Sequence, residues 1–184
     1  MFAGNYLKRI EAEGGSKESK MNTITIYGDN HHETHTEYRA ACRGIVISGD
    51  EILMSYETKE DQWMIPGGGL EEGENLEDCC VRELEEETGY QVKAIRQYLT
   101  IKEYYEEWLF ESFYFLCEVT GEGTRSLTKR EIEVGLEPRW IKIEEARRIF
   151  SEHQNYAETD EMRRGMYLRE YRALEEVYHE LSLV

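Results

Sequence analysis

The sequence predicts an α/β protein of the α+β kind: a layered α/β/α sandwich on a mixed β-sheet, completed by a C-terminal helix. Three observations predict it. Short alternating or apolar runs outnumber helical ones, they do not alternate strictly with helices as an all-parallel sheet requires, and the few helical segments carry a clear apolar stripe. With 184 residues, 40% hydrophobic and 11% aromatic, the chain has the size and composition of one ordinary domain with a real core.

Residues 1–21 open with MFAGNYLKRIEAEGGSKESK, whose Gly/Ser/Lys end predicts a leader or flexible N-terminal extension. Residues 22–184 are expected to form a single domain. Thr23 to Tyr27, Ala40 to Ser48, Glu51 to Tyr56 and Trp63 to Ile65 read as strands, with Ser48-Gly49-Asp50 as a hairpin turn. Asn75 to Thr88 is the best-specified helix: Asn75 is the N-cap, Gly89 the stop, and Leu76, Cys80 and Leu84, with Cys79 and Val81 beside them, form the inner side. Tyr90 to Glu103 and Trp108 to Val119 are rich in β-branched and aromatic residues and read as strands. Thr120 to Glu137 reads as a polar loop, Arg139 to Ile143 as a last strand and Ile143 to Glu152 as a helix. A longer helix over Thr159 to Leu183, within a C-terminal segment 155–184, carries Met162, Met166, Leu174, Val177, Tyr178 and Leu181 on one stripe. That stripe packs on the domain; a homodimer contact through Tyr167, Tyr171, Leu174, Tyr178 and Leu181 is the alternative.

Composition narrows the function. Thirty-nine acidic against 22 basic residues leave a net charge of -17, which repels a polyanionic backbone, and the runs Thr128-Lys129-Arg130 and Arg163-Arg164 are flanked by glutamates. Long nucleic acid is therefore not an expected partner. A small phosphorylated metabolite is compatible with such a chain when divalent cations bridge carboxylates to phosphates. Cys42, Cys79, Cys80 and Cys117 show no CxxC spacing and read as reduced thiols of a cytoplasmic protein, and no run nears the ~18 apolar residues that span a bilayer. His31, His32 and His35 lack a cysteine or aspartate set to complete a zinc site and read as an exposed polar stretch.

The informative segment is Pro66-Gly67-Gly68-Gly69-Leu70-Glu71-Glu72-Gly73-Glu74, followed by Arg82-Glu83-Leu84-Glu85-Glu86-Glu87-Thr88-Gly89. On a helix Glu83, Glu86 and Glu87 stand at i, i+3 and i+4, so three carboxylates share one side and repel each other unless a cation intervenes. Magnesium prefers hard oxygen ligands, and the glycines let backbone approach metal and phosphate closely.

The joint pattern over 23 positions, Gly68 to Tyr90, resembles the signature of the Nudix hydrolases. It departs visibly at Tyr90, where that family usually has an aliphatic residue and a packing adjustment is expected. The resemblance continues in Trp63-Met64-Ile65-Pro66-Gly67-Gly68 and in Arg139-Trp140-Ile141-Lys142-Ile143-Glu144-Glu145-Ala146, and covers about Ala40 to Phe150. It implies that Glu83, Glu86 and Glu87 ligate catalytic Mg2+, with Mn2+ as a substitute, and that the Gly67 carbonyl is a further ligand. Glu74 would act through second-shell contacts and Arg82 would hold the glutamates by ion pairing. The implied reaction is in-line attack of an activated water on a diphosphate bond in a nucleoside diphosphate-linked metabolite or a nucleoside triphosphate.

The resemblance further implies that the general base is either a helix glutamate or one from a loop near the last strand, for which Glu131, Glu133 and Glu137 are candidates, with Glu133, seven residues before Trp140, preferred. Downstream motifs of known subclasses do not fit: where the ADP-ribose hydrolases carry a proline the chain has Tyr105, and the tyrosine of the dinucleoside polyphosphate pattern is missed by Tyr104 and Tyr105. Among Tyr98, Tyr104, Tyr105, Trp108 and Phe110 most are expected in the core; Tyr104, Tyr105 and Trp108 are the candidates to stack on a base. A non-catalytic nucleotide or sugar-nucleotide sensing module is the alternative, against which the intact glutamates weigh.

Overall fold

A computed structural model describes residues 22–180. The expected leader 1–21 and Leu181 lie outside the described residues. In chain order the elements are β1 (Asn22–Tyr27), β2 (Glu37–Ser48), β3 (Glu51–Glu57), β4 (Gln62–Met64), β5 (Gly67–Gly69), α1 (Leu76–Thr88), β6 (Tyr90–Tyr105), β7 (Trp108–Glu122), α2 (Lys129–Val134), β8 (Leu136–Lys142), α3 (Ile143–Ser151), a 3-10 turn (Glu152–Tyr156) and α4 (Glu161–Glu180).

The sheet runs β1-β6-β7-β2-β3-β4, with β5 added to β2 and β8 to β3. It is mixed: β1 lies parallel to β6 and β2 parallel to β7, whereas β6–β7, β2–β3, β3–β4, β3–β8 and β2–β5 are antiparallel. β2 is the pivot, since its Glu37 to Val46 stretch follows β7 while Ile47 and Ser48 turn through Gly49 (φ 65°) into β3. Successive strand side chains point to opposite faces, so neighbours divide between two cores. Val46, Leu53 and Phe115 meet Cys79, Cys80 and Leu84 of α1, while Ile45, Ile52 and Tyr114 meet Ala146 and Phe150 of α3 and Leu174 and Val177 of α4. Helices on both faces of one mixed, open sheet make the expected sandwich.

Two local readings are corrected, and one short strand is added. The Thr120 to Glu137 stretch is not all loop: β7 continues to Glu122 and a helical turn, α2, forms over Lys129–Val134. Its cause is local, a capping box in which the Thr128 hydroxyl accepts from the Glu131 amide and the Glu131 carboxylate accepts from the Thr128 amide, closed by Gly135 at φ 70°. The glycine triplet Gly67–Gly69 forms a short strand on β2, which follows from strand pairing, not from propensity. Met162, in the first turn of α4, is 86% exposed and leaves the inner stripe. Tyr167, Leu174 and Val177 are buried against the sheet, so these residues offer no surface to a second chain. The four cysteines are free and buried, and among the described residues no helix is long and apolar enough to cross a membrane.

Candidate active site

Helix α1 is rigidly defined by its own sequence. The Asn75 side chain accepts from the Asp78 amide at 2.9 Å, and Gly89, left-handed at φ 74°, donates to the Glu85 carbonyl at 2.8 Å. Cys79, Cys80 and Leu84 are buried on the sheet, and the approach is close: a Cβ on Gly44 of β2 would stand 2.5 Å from a Leu84 methyl. The last carbonyls of α1 are used as well, by the Ser126 amide on Glu86 O at 2.9 Å and by Arg125 Nε on Glu87 O at 2.9 Å. With its apolar side fixed, the helix turns its glutamates toward β3, β5 and the segment before α2.

Glu87 goes deepest. It is 5% exposed; its Oε2 accepts from Ser55 Oγ of β3 at 2.7 Å and from the Gly67 amide at 3.2 Å. Burial pushes its carboxyl up to about 8, against the opposing pull of Ser55 and the Arg43 charge. Glu83 is also raised by burial, with Arg82 pulling the other way and the neighbouring Glu86 and Glu131 charges adding to the rise.

Arg82 organises the remaining acids. Its Nε and Nη2 donate to the two oxygens of Glu74 at 2.8 Å each, a bidentate pair that holds the Glu74 carboxyl down at about 2. Nη1 reaches Glu83 at 2.8 Å and Glu86 at 3.2 Å, and Nη2 also donates to the Gly69 carbonyl at 3.1 Å. Glu83 and Glu86 are thus gathered on one guanidinium while Glu87 faces Ser55. Among the described residues no three His, Cys, Asp or Glu side chains close around a common point.

The glycines have separate reasons. Gly67 has φ 145°, and a Cβ there would lie 2.1 Å from the Cys42 carbonyl oxygen. A Cβ on Gly68 would lie 2.3 Å from Glu83 Oε2, so this glycine keeps the space in which Glu83 sits. Gly67→Ala is expected to cost at least about 2 kcal/mol, visible as a lower denaturant midpoint. Gly68→Ala meets only a flexible carboxylate and should displace Glu83 while leaving the midpoint nearly unchanged.

The other sequence candidates fall elsewhere. Glu133 is exposed on α2, with its carboxylate 3.8 Å from Lys129 and its carbonyl accepting from Lys59 Nζ. Glu137 pairs with Arg139, and Glu131 is the α2 carboxylate whose charge acts on Glu83. Tyr104, Tyr105 and Trp108 flank the β6–β7 turn. Trp108 is in register with Glu37 and Gly67 with Arg43, six residues along β2, which puts the turn roughly 20 Å from the glutamates. There Tyr104 stacks on Tyr27, Trp108 on Phe110, and Tyr105 packs beside Gly165 of α4. Tyr90 meets Trp140, whose indole donates to its hydroxyl at 3.2 Å, the packing adjustment expected at that position.

Sequence reasoning missed Ser55, Arg43 and Glu57. Arg43 Nη1 donates to the Ile65 carbonyl at 3.1 Å, just ahead of Pro66 and Gly67, and lies 3.7 Å from Glu170 of α4. Glu57 is 1% exposed on β3. A polar residue at alternate positions of an otherwise buried strand was the available signal: Ser55 and Glu57 in Ile52-Leu53-Met54-Ser55-Tyr56-Glu57.

Comparison with known proteins adds a lineage to this geometry. The putative nudix hydrolase 1 of Caenorhabditis elegans is 30% identical over 116 residues, 60% of this chain and 30% of that protein; nudix hydrolase 6 of Arabidopsis thaliana is 35% identical over 85 residues, 45% and 29% of the two chains. The match therefore spans less than a third of the length of these two relatives. Mouse diphosphoinositol polyphosphate phosphohydrolase 3-alpha is 29% identical over 118 residues, 63% of this chain and 70% of its own. Among solved structures, a NUDIX hydrolase from Nitrosomonas europaea superposes with a TM-score of 0.58 at 18% identity, covering 78% of this chain and 90% of the other. A UDP-X diphosphatase gives 0.54 at 16%, covering 80% and 66%. Both share the fold. The NUDIX domain family matches residues 37–162, well over half the chain and the whole span from β2 to the start of α4, and this protein belongs to that family.

Proposed function

We propose that this protein is a Mg2+-dependent pyrophosphohydrolase that cleaves a diphosphate bond in a small phosphorylated metabolite, a nucleoside diphosphate derivative or a nucleoside triphosphate, in the cytoplasm. The observation that carries the reading is Glu87, a carboxyl buried beside Glu83 on one helix side and held on Ser55 and the Gly67 amide. The donors fit a divalent cation: all are hard oxygens, and a carboxyl that burial drives toward its neutral form is one that a cation would ionise.

Glu83, Glu86 and Glu87 would hold the ion, with the Gly67 carbonyl as a further donor. When bound, the cation neutralises the diphosphate and lowers the pKa of the attacking water. Arg82 steers Glu83 and Glu86 through its Nη1 contacts, and Glu74 fixes Arg82 through the bidentate pair. Gly68 leaves room for the Glu83 carboxylate beside the backbone of β5. For proton acceptance from water the candidates outside α1 are Glu131, Glu133 and Glu137; the Glu131 carboxylate already accepts from the Thr128 amide at 2.7 Å, whereas Glu133 is exposed.

The test is product release from nucleoside triphosphates, ADP-ribose, nucleotide sugars and dinucleoside polyphosphates, with Mg2+ and with chelator, the coupling enzyme's own metal being restored after quenching. Metal-dependent turnover of one substrate is expected. Silence across the set, with nucleotide binding retained, would leave the sensing module as the reading.

A further inference from the structure

One strand step from the site lies an ion pair, buried only on its Glu57 side, that the mechanism above does not use. Glu57 stands two residues after Ser55 on β3, so both side chains share one strand face, about 7 Å apart along the strand. Ser55 donates to Glu87, and Glu57 therefore lies one strand step from the deepest glutamate of the site. Its carboxylate is 1% exposed and both oxygens are used: Oε1 accepts from Arg130 Nη1 at 3.0 Å and Oε2 from Gln62 Nε2 at 3.2 Å.

The two partners are unequal. The Glu57 side chain is 2% exposed, whereas that of Arg130 is 68% exposed, so one edge of the guanidinium is anchored inside the protein and the rest faces solvent. Among the described residues no second carboxylate pairs with Arg130. Helix α2, which carries it, is pinned to the end of β3 by Lys59 Nζ on the Glu133 carbonyl at 2.5 Å and Thr58 Oγ1 on the Gly135 carbonyl at 3.0 Å. The next residue, Glu131, is the one whose charge reaches Glu83. A guanidinium whose position is already set loses little freedom on binding, and its planar fork matches phosphate oxygens. In a chain of net charge -17, an oriented cation that faces solvent is a place where a phosphate group gains the most.

We propose that Arg130, oriented by buried Glu57, is a phosphate-binding subsite that takes a phosphate group of the substrate outside the scissile linkage. The favoured substrates are then diphosphates that carry at least one further phosphate, over those flanked by neutral sugar. The substrate class rests on the pyrophosphohydrolase reading; the binding step does not.

The experiment titrates the full chain with inorganic tripolyphosphate by calorimetry in the presence of Mg2+, for wild type, Arg130→Gln, Arg130→Lys and, as a control for bulk charge, Lys129→Gln, whose side chain is 92% exposed. Arg130→Gln should weaken binding about tenfold or more, the scale of one lost charge-assisted contact, with Lys intermediate and the Lys129 variant close to wild type. In turnover, Arg130→Gln should raise KM for phosphate-rich substrates and leave kcat, and KM for nucleotide sugars, unchanged. Unaltered tripolyphosphate affinity in Arg130→Gln, or an equal loss in Lys129→Gln, would overturn the subsite. So would a fall in kcat on every substrate with a lower melting temperature, which marks Glu57–Arg130 as a clamp for α2 alone. Wild-type protein that binds tripolyphosphate through Arg130 and turns over nothing would reject the enzyme and retain the subsite.

Discussion

Glu87→Gln and Glu86→Gln should each lower turnover by about 10²–10⁴-fold while the protein stays folded. The two substitutions test different parts of one site. Glu87 is buried and accepts from Ser55 and the Gly67 amide, and a glutamine keeps the volume and an acceptor for both donors. Because burial already penalises the charged form, the neutral isostere should leave the melting temperature unchanged or raise it. Glu86 is half-exposed on Arg82, an arrangement that contributes little to stability. Turnover lost at constant melting temperature is thus the signature of a cation site. Near-wild-type turnover in either variant would remove the metal assignment.

Glu170→Ala should be the most destabilising change on the opposite face, by about 3–5 kcal/mol. Glu170 is fully buried in α4 and accepts from Arg169 at 2.7 Å and Tyr114 Oη at 3.1 Å, with Arg43 at 3.7 Å. Among the described residues its removal leaves Arg43 with no carboxylate at that contact, and Arg169 with Glu103 alone at 3.2 Å. The Nε atoms of both arginines already lack a partner among the described residues, so little reserve exists there. A fall of roughly 6–20 °C in melting temperature corresponds to that cost for a domain of this size. Arg43→Met added to Glu170→Ala should recover part of it, since the stranded charge is then gone. A loss below about 1 kcal/mol would show that water satisfies both guanidinia.

Local devices were legible because a few adjacent residues complete them. Asn75 and Asp78 cap α1, Gly89 ends it, and the Glu83, Glu86 and Glu87 spacing fixes one helix side whatever the helix packs on. The capping box at Thr128 and Glu131 was equally local, and α2 was missed only because it sits in a polar, glycine-bearing stretch. Aromatic residues were less legible: Tyr104, Tyr105 and Trp108 looked suited to a base, but the register of β6 and β7 carries them to a turn where they pack on each other's neighbours.

By itself the sequence determined most of the strands, the helix that bears the carboxylates and the glycine segment before it, which depend on periodicity, caps and spacing within some 30 residues, and it carried the motif of the family resemblance. Tertiary structure alone decided that Ser55 and Gly67 hold Glu87, that Glu57 meets Arg130 across 73 positions, and that Glu170 reaches Arg43 from the far helix. Those pairs join residues far apart in the chain. A buried charge must find its counter-charge wherever the sheet order brings one, and no local pattern records that order.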